Sequence, residues 1–120
     1  MDQISEQDEC LVRDVLTRVG DKWSLSVIFQ LGYGTQRFRE LHRNVAGISE
    51  RMLTVTLRAL ERDGLVRRTA YPVVPPRVEY ELTKIGGSLL ATVSPLFAWC
   101  DDHLDDITKS RADYDALVAH

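Results

Sequence analysis

Cysteine is scarce in this chain of 120 residues: Cys10 and Cys100 are too few and too far apart to read as the disulfide framework of a small secreted fold, so both are taken as reduced thiols. Long apolar runs are missing too. Nothing approaches the ~20 residues of a membrane span, and the opening MDQISEQDE is acidic where a secretory signal would be basic and then apolar. A cytoplasmic location with no membrane partner is therefore expected. There is no phosphate-binding glycine loop and no Gly-x-Ser-x-Gly, and His42, His103 and His120 stand beside no recognisable nucleophile pattern, so an enzyme has little to rest on and nothing calls for a cofactor. Repeats, linkers and low-complexity segments are absent. With 44% hydrophobic residues the chain fits a single domain over residues 1–120, small enough that surface buried against a partner would help it.

The net charge of −3 argues against nucleic acid until the charges are located. Residues 1–36 hold 3 basic and 6 acidic groups, residues 37–77 hold 9 and 4, and residues 78–120 hold 3 and 8. All nine basic groups of the middle segment are arginines. A basic block between acidic flanks is the footprint of a localised phosphate-binding surface.

Within that block the stretch from Ser49 to Asp63, SERMLTVTLRALERD, reads as a helix of two unlike faces. Ser49 is a start signal, Glu50 follows where the helix dipole favours an acid, and Gly64 is a stop. Leu53, Leu57 and Leu60 form one apolar stripe for burial, while Arg51, Thr54, Val55, Arg58 and Arg62 fall on the opposite face. Cations, a hydroxyl and a small branched group suit phosphates, purine edges and thymine methyls in a major groove. Alone, such a face is more often simply solvated.

The neighbouring segments supply context. Val12, Val15, Leu16 and Val19 lie on one face of a first helix ended by Gly20, and Asp21 can cap a dense apolar helix through Leu31. After Thr35, the residues from Gln36 to Val45 read as a short third helix with Phe38, Leu41 and Val45 on one side and a basic outer face. Ala46-Gly47-Ile48 leads directly into the Ser49 helix, which makes a helix-turn-helix unit. Beyond Gly64, residues 65–71 have strand character and residues 77–82 alternate apolar and polar, with Pro72, Pro75 and Pro76 stiffening the tip between them. Such a hairpin is a wing, and Arg67, Arg68 and Arg77 would bring cations to the adjacent backbone or minor groove. Thr83 can cap a closing helix whose apolar residues are too many for one narrow stripe, which suggests burial against a second subunit. Pro95 should kink or end it near Ser94, and the tail from Ile107 is expected to add one more short helix.

In this order the motifs resemble the HxlR-type family of bacterial winged helix-turn-helix transcription regulators, related in architecture to the MarR type. The residues that carry the resemblance are Gly20-Asp21-Lys22-Trp23, Arg37-Phe38-Arg39-Glu40-Leu41, Gly47-Ile48-Ser49, Leu57 to Val66, and above all Pro75-Pro76-Arg77-Val78-Glu79-Tyr80-Glu81-Leu82-Thr83. The resemblance implies a mainly α fold with a small β-hairpin: a recognition helix about 49–63, a wing about 66–82, and dimerisation helices about 8–19 and 83–105. It also implies a homodimer on a pseudo-palindromic double-stranded DNA operator. Many members of the family resemble redox sensors in which an N-terminal thiol answers an electrophile or oxidant, and Cys10 stands at that position. The second thiol, Cys100, leaves open whether Cys10 pairs across subunits, pairs with Cys100, or does neither.

Arg51, Thr54, Val55 and Arg58 are the expected groove-facing residues. Gln36, Arg37, Arg43, Arg68 and Arg77 are the expected phosphate contacts, and Ser49 serves as both cap and phosphate contact through its amide. For Cys10 the plain alternative is an inert buried thiol. The acids Asp8, Glu9 and Asp14 oppose thiolate chemistry there, and a helix N-terminus assists it. Cys100 and His103 at i and i+3 do not make a closed metal site. Trp23, Phe29, Phe97 and Trp99 read as core before they read as a pocket for an aromatic effector. A winged helix used only as a protein-interaction module is the competing class, and the one-signed arginine excess argues against it.

Overall fold

The computed structural model describes residues 5–119; residues 1–4 of the acidic opening and His120 lie outside them. The chain divides into two compact units, the first ending at Ser88 and the second beginning at Leu89, where the sequence suggests one domain.

Helix α1 (Glu6–Gly20) starts at Ser5, whose Oγ accepts from the Asp8 amide at 3.2 Å, and it carries Glu6, Asp8 and Glu9 in its first turn. None of its residues is buried. Helix α2 (Ser24–Leu31) is its opposite, with Val27 and Ile28 wholly inaccessible and Leu31 nearly so. Asp21 does not cap an α2 amide; its carboxylate accepts the Ser24 hydroxyl at 2.6 Å and fixes the turn between the helices.

The segment after Thr35 departs from the sequence expectation. Gln36–Arg37 is a short strand, β1, and only Phe38–Asn44 is helical as α3. β1 pairs with the wing strand β3 (Arg77–Leu82), Gln36 opposite Tyr80 and Arg37 opposite Glu79. The Arg37 amide donates to Glu40 Oε1 at 3.0 Å, so the helix begins where the strand ends. With β2 (Val66–Tyr71) the sheet is antiparallel in the order β1-β3-β2, and the hairpin register runs from Val66 opposite Leu82 to Tyr71 opposite Arg77.

Helix α4 (Glu50–Arg62) is capped by Ser49, whose Oγ accepts from the Met52 amide at 3.1 Å. It ends in a Schellman turn: the Leu65 amide donates to Leu60 O and the Gly64 amide to Glu61 O, each at 3.0 Å, with Gly64 at φ +78°. Leu53, Leu57 and Leu60 are buried together with Thr56, and they meet Leu41, Val45, Ile48, Val66 and the α2 residues in the core of the first unit.

Helix α5 (Lys84–Val118) is continuous, which corrects the expected break at Pro95 and the expected separate tail helix. Pro95 removes the amide that would bond to the Ala91 carbonyl, and both residues are exposed, where a freed carbonyl costs less than in a core. The start of α5 is tightly placed. The Gly86 amide donates to Thr83 Oγ1 at 3.1 Å and the Thr83 amide to Leu65 O at 3.1 Å. A Cβ on Gly86 would stand 2.0 Å from Leu65 O, whereas one on Gly87 would meet nothing within 4 Å. Gly86→Ala should therefore lower the unfolding free energy by about 1–3 kcal/mol through overpacking. Gly87→Ala should raise it by roughly 0.5–1 kcal/mol through helix propensity. Urea unfolding of both variants checks the pair, and equal effects would contradict the close approach.

Candidate nucleic-acid interface

The burial of α4 decides what it presents. With Leu53, Thr56, Leu57 and Leu60 inward, Arg51, Val55, Arg58 and Arg62 face out, with Val55 52% exposed. Two neighbours border this face. On one side Met52, Val55 and Ala59 line a cleft with Thr17, Arg18 and Gly20 of α1. On the other side Thr54, Arg58 and Glu61 line a notch with Arg68 and Tyr80 of the wing. Thr54 donates its hydroxyl to Glu50 O at 3.0 Å, which leaves its methyl and the oxygen lone pairs for an approaching ligand.

The remaining predicted residues fall into three groups. Arg37, Arg43 and Arg68 are exposed and have no ion-pair partner among the described residues. Arg77 is tied down: its guanidinium lies 4.3 Å over the Tyr71 ring, and its buried Nε sits 3.5 Å from Glu79 Oε1 without a hydrogen bond. Arg67 is similarly held, by Glu81 Oε1 at 3.0 Å. Gln36 is a correction. Its side chain is 8% exposed, its Nε2 donates to Gln30 O and its Oε1 accepts from Asn44 Nδ2 at 3.3 Å, so both ends of the amide are engaged within the protein.

Tyr80 is the neighbour that sequence reasoning passed over. It stands directly opposite Arg68 on the hairpin, a relation that follows once the two strands are put in register. At the far edge, Arg18 Nε donates to Asp63 Oδ2 at 2.8 Å and bridges α1 to the end of α4. Cys10 is exposed on α1 and Cys100 is exposed on α5. Trp99, 51% exposed, stacks on His103 at 4.6 Å, and Phe97 is 42% exposed, so neither aromatic is core within this chain. No helix among the described residues is long and apolar enough to cross a membrane.

A helix-turn-helix whose second helix turns a cationic face outward beside a hairpin is a winged helix-turn-helix, the fold of DNA-binding transcription regulators. The chain belongs to the HxlR-like helix-turn-helix family, whose model matches residues 18–108. It is 41% identical over 104 residues to the uncharacterised HTH-type transcriptional regulator YtfH of Escherichia coli strain K12, covering 87% of this chain and 82% of that one. Among solved structures it resembles the putative transcriptional regulator ytfH of Salmonella typhimurium, at TM-score 0.77 and 40% identity over 84% of this chain and 90% of that one. It also resembles the redox regulator HypR in its reduced form, at TM-score 0.76 and 38% identity over 82% and 97% of the two chains.

The position of Gln36 yields a direct check. Gln36→Ala removes the side-chain bonds to Gln30 O, which keeps the Tyr33 amide, and to Asn44 Nδ2, and should lower stability by about 0.5–1.5 kcal/mol. Arg43→Ala, on the exposed face of α3, should change stability by less than about 0.5 kcal/mol. Thermal unfolding of both variants decides whether Gln36 is structural, and a neutral Gln36→Ala would return it to the surface set.

Proposed function

We propose that two copies of this chain bind a pseudo-palindromic operator, each α4 entering a major groove, and that the thiol of Cys10 sets the affinity. The observation that carries the DNA reading is the outward face of α4, where Arg51, Thr54 and Val55 stand at the centre of a cationic surface bordered by the wing. Arg37 and Arg43, unpaired on the preceding strand and helix, reach the flanking phosphates with Arg68 from the wing, while Arg77 stays over Tyr71 beside Glu79. The Ser49 amide at the start of α4 adds a donor where the helix dipole attracts anions.

Pairing of two copies is supported by what a single copy leaves uncovered. On α1, Leu11, Val12, Val15 and Leu16 are all exposed, at 62%, 42%, 44% and 61%. On α5, Leu96, Phe97, Leu104 and Tyr114 are exposed as well. Contiguous apolar surface of this kind marks an interaction site. A second copy offers the same faces in return and sets two recognition helices at a fixed spacing. The redox reading is supported by the exposure of Cys10 on one of these helices and by the likeness to HypR. Alkylation of the thiolate by a quinone, or oxidation by diamide in which the Cys10 thiols of the two copies join in a disulfide while their two electrons and two protons reduce diamide to the hydrazine, would change the packing around α1.

Binding to a duplex carrying the DNA upstream of the protein's own coding sequence tests the proposal, with diamide absent and then present. Wild type and Cys100→Ser should bind specifically and change affinity on oxidation, while Cys10→Ser should bind and stay indifferent. Specific binding that ignores diamide in every variant would move the signal away from the thiol and toward an aromatic effector. An absence of specific binding would favour the protein-interaction module. Arg51→Ala should cost about 1–3 kcal/mol on the operator and much less on random DNA if the side chain reads a base edge.

A further inference from the structure

The notch between α4 and the wing has a composition that exposure alone does not explain. Arg68 and Tyr80 are cross-strand partners on β2 and β3, so their side chains stand side by side on one face of the hairpin. Thr54, Arg58 and Glu61 recur at i, i+4 and i+7 on the flank of α4 turned toward that face, and the five side chains enclose a notch of about 330 Å³ floored by Leu57. The wing's other arginines are engaged, Arg67 by Glu81 and Arg77 by Tyr71 and Glu79. Arg58 and Arg68 have no ion-pair partner, and the Tyr80 hydroxyl no hydrogen-bond partner, among the described residues. Two free guanidiniums and a phenolic O–H thus converge on one opening, a donor set made for an acceptor-only anion.

The charge of the opening narrows the anion. Arg58 and Arg68 against Glu61 leave a net charge of +1, which matches a singly charged phosphodiester better than a doubly charged phosphate monoester. The wall supplied by the wing narrows its place. A base edge deep in the major groove is reached by α4 alone, whereas a group touching both α4 and the hairpin lies at the groove's rim, where the backbone runs.

We propose that this notch seats one phosphodiester of the DNA backbone in each half-site, gripped by Arg58 and Arg68 with the Tyr80 hydroxyl donating to the same group. It rests on the DNA-binding reading above, and it moves Arg58 from the base-reading face of α4 to the backbone. Glu61 limits the grip and keeps non-specific DNA from being held too tightly.

The test uses full-length protein on two duplexes, one selected by the wild type from a random-sequence pool and one unrelated, each also made with single neutral methylphosphonates along the backbone. Arg58→Ala, Arg68→Ala and Tyr80→Phe should each weaken both duplexes by the same factor, about fivefold or more for the arginines, and each arginine variant should lower the salt slope by about two, one for each half-site. At one backbone position per half-site the methylphosphonate should weaken the wild type and should cost Arg68→Ala clearly less, since only Arg58 and Tyr80 still hold that phosphate. Glu61→Gln should strengthen both duplexes several-fold, a gain that a merely structural residue would not give. Preferential loss on the selected duplex in Arg58→Ala would overturn the proposal by showing a base reader, as would strict additivity at every methylphosphonate. A wild type that prefers no sequence yet shows the notch effects would sink the operator and spare the notch; a wild type that binds no duplex would sink both.

Discussion

Burial of one narrow stripe on α4 is the constraint on which the rest depends. Leu53, Leu57 and Leu60 are at most 2% exposed, and each side chain contributes about 1.5–3 kcal/mol by leaving water, so the rotation of this helix about its axis is not negotiable. Once that rotation is set, Arg51, Val55 and Arg58 are carried outward as a geometric consequence of 3.6 residues per turn. The caps fix the remaining freedom. Ser49 determines where the helix starts, and the Schellman turn at Gly64 sends the chain directly into β2, so wing and recognition helix share one rigid junction. Thr83 returns to that junction from the other side, its amide donating to Leu65 O, and Gly86 lets the next helix lie against it.

Sorting the arginines is the second consequence of the fold. The basic middle segment looks uniform as a string, yet the structure divides it into cations that hold the protein and cations that stand free. Arg67 and Arg77 are engaged along the hairpin, where cross-strand acids and Tyr71 are at hand. Arg37, Arg43, Arg51, Arg58 and Arg68 find no acid among the described residues. Surface ion pairs contribute little to stability, so the pairing of Arg67 matters mainly because it removes one free donor from the wing. The net charge of −3 is therefore compatible with a DNA-binding face, because those five arginines stand without an acid among the described residues.

Much of this was legible in the sequence, for reasons tied to particular residues. The α4 stripe, its caps and the hairpin rest on local periodicity and turn chemistry, which need no knowledge of distant partners. β1 was not legible, because a strand of two residues exists only through its pairing with Tyr80 and Glu79, far along the chain. Gln36 misled for the same reason: beside Arg37 it looks like surface, and only the approach of Gln30 and Asn44 shows that it is interior. Pro95 misled in the opposite direction. Its cost depends on where the freed carbonyl lies, and here it lies on an exposed stretch of helix rather than in a core. Tyr80, read as one apolar position in an alternating strand, acquires its place at the notch only from the register that sets it against Arg68.

Asp63 shows how the ends of α4 are tied to its surroundings. An acid at a helix C-terminus faces the negative end of the dipole and is there at a cost of some tenths of a kcal/mol unless a cation offsets it. Arg18 of α1 supplies that cation at 2.8 Å, with both side chains about two-thirds or more covered. The pair spans two clefts, one lined by Leu11, Val15 and Arg62 and the other by Gly20, Met52 and Val55, so α1 and α4 are joined here by a charged strut rather than by close apolar packing. The same α1 carries Cys10 and an apolar face that a single copy leaves in water. The buried stripe, not the partly exposed Arg18–Asp63 pair, sets the orientation of α4; the pair offsets the acid at the end of that helix.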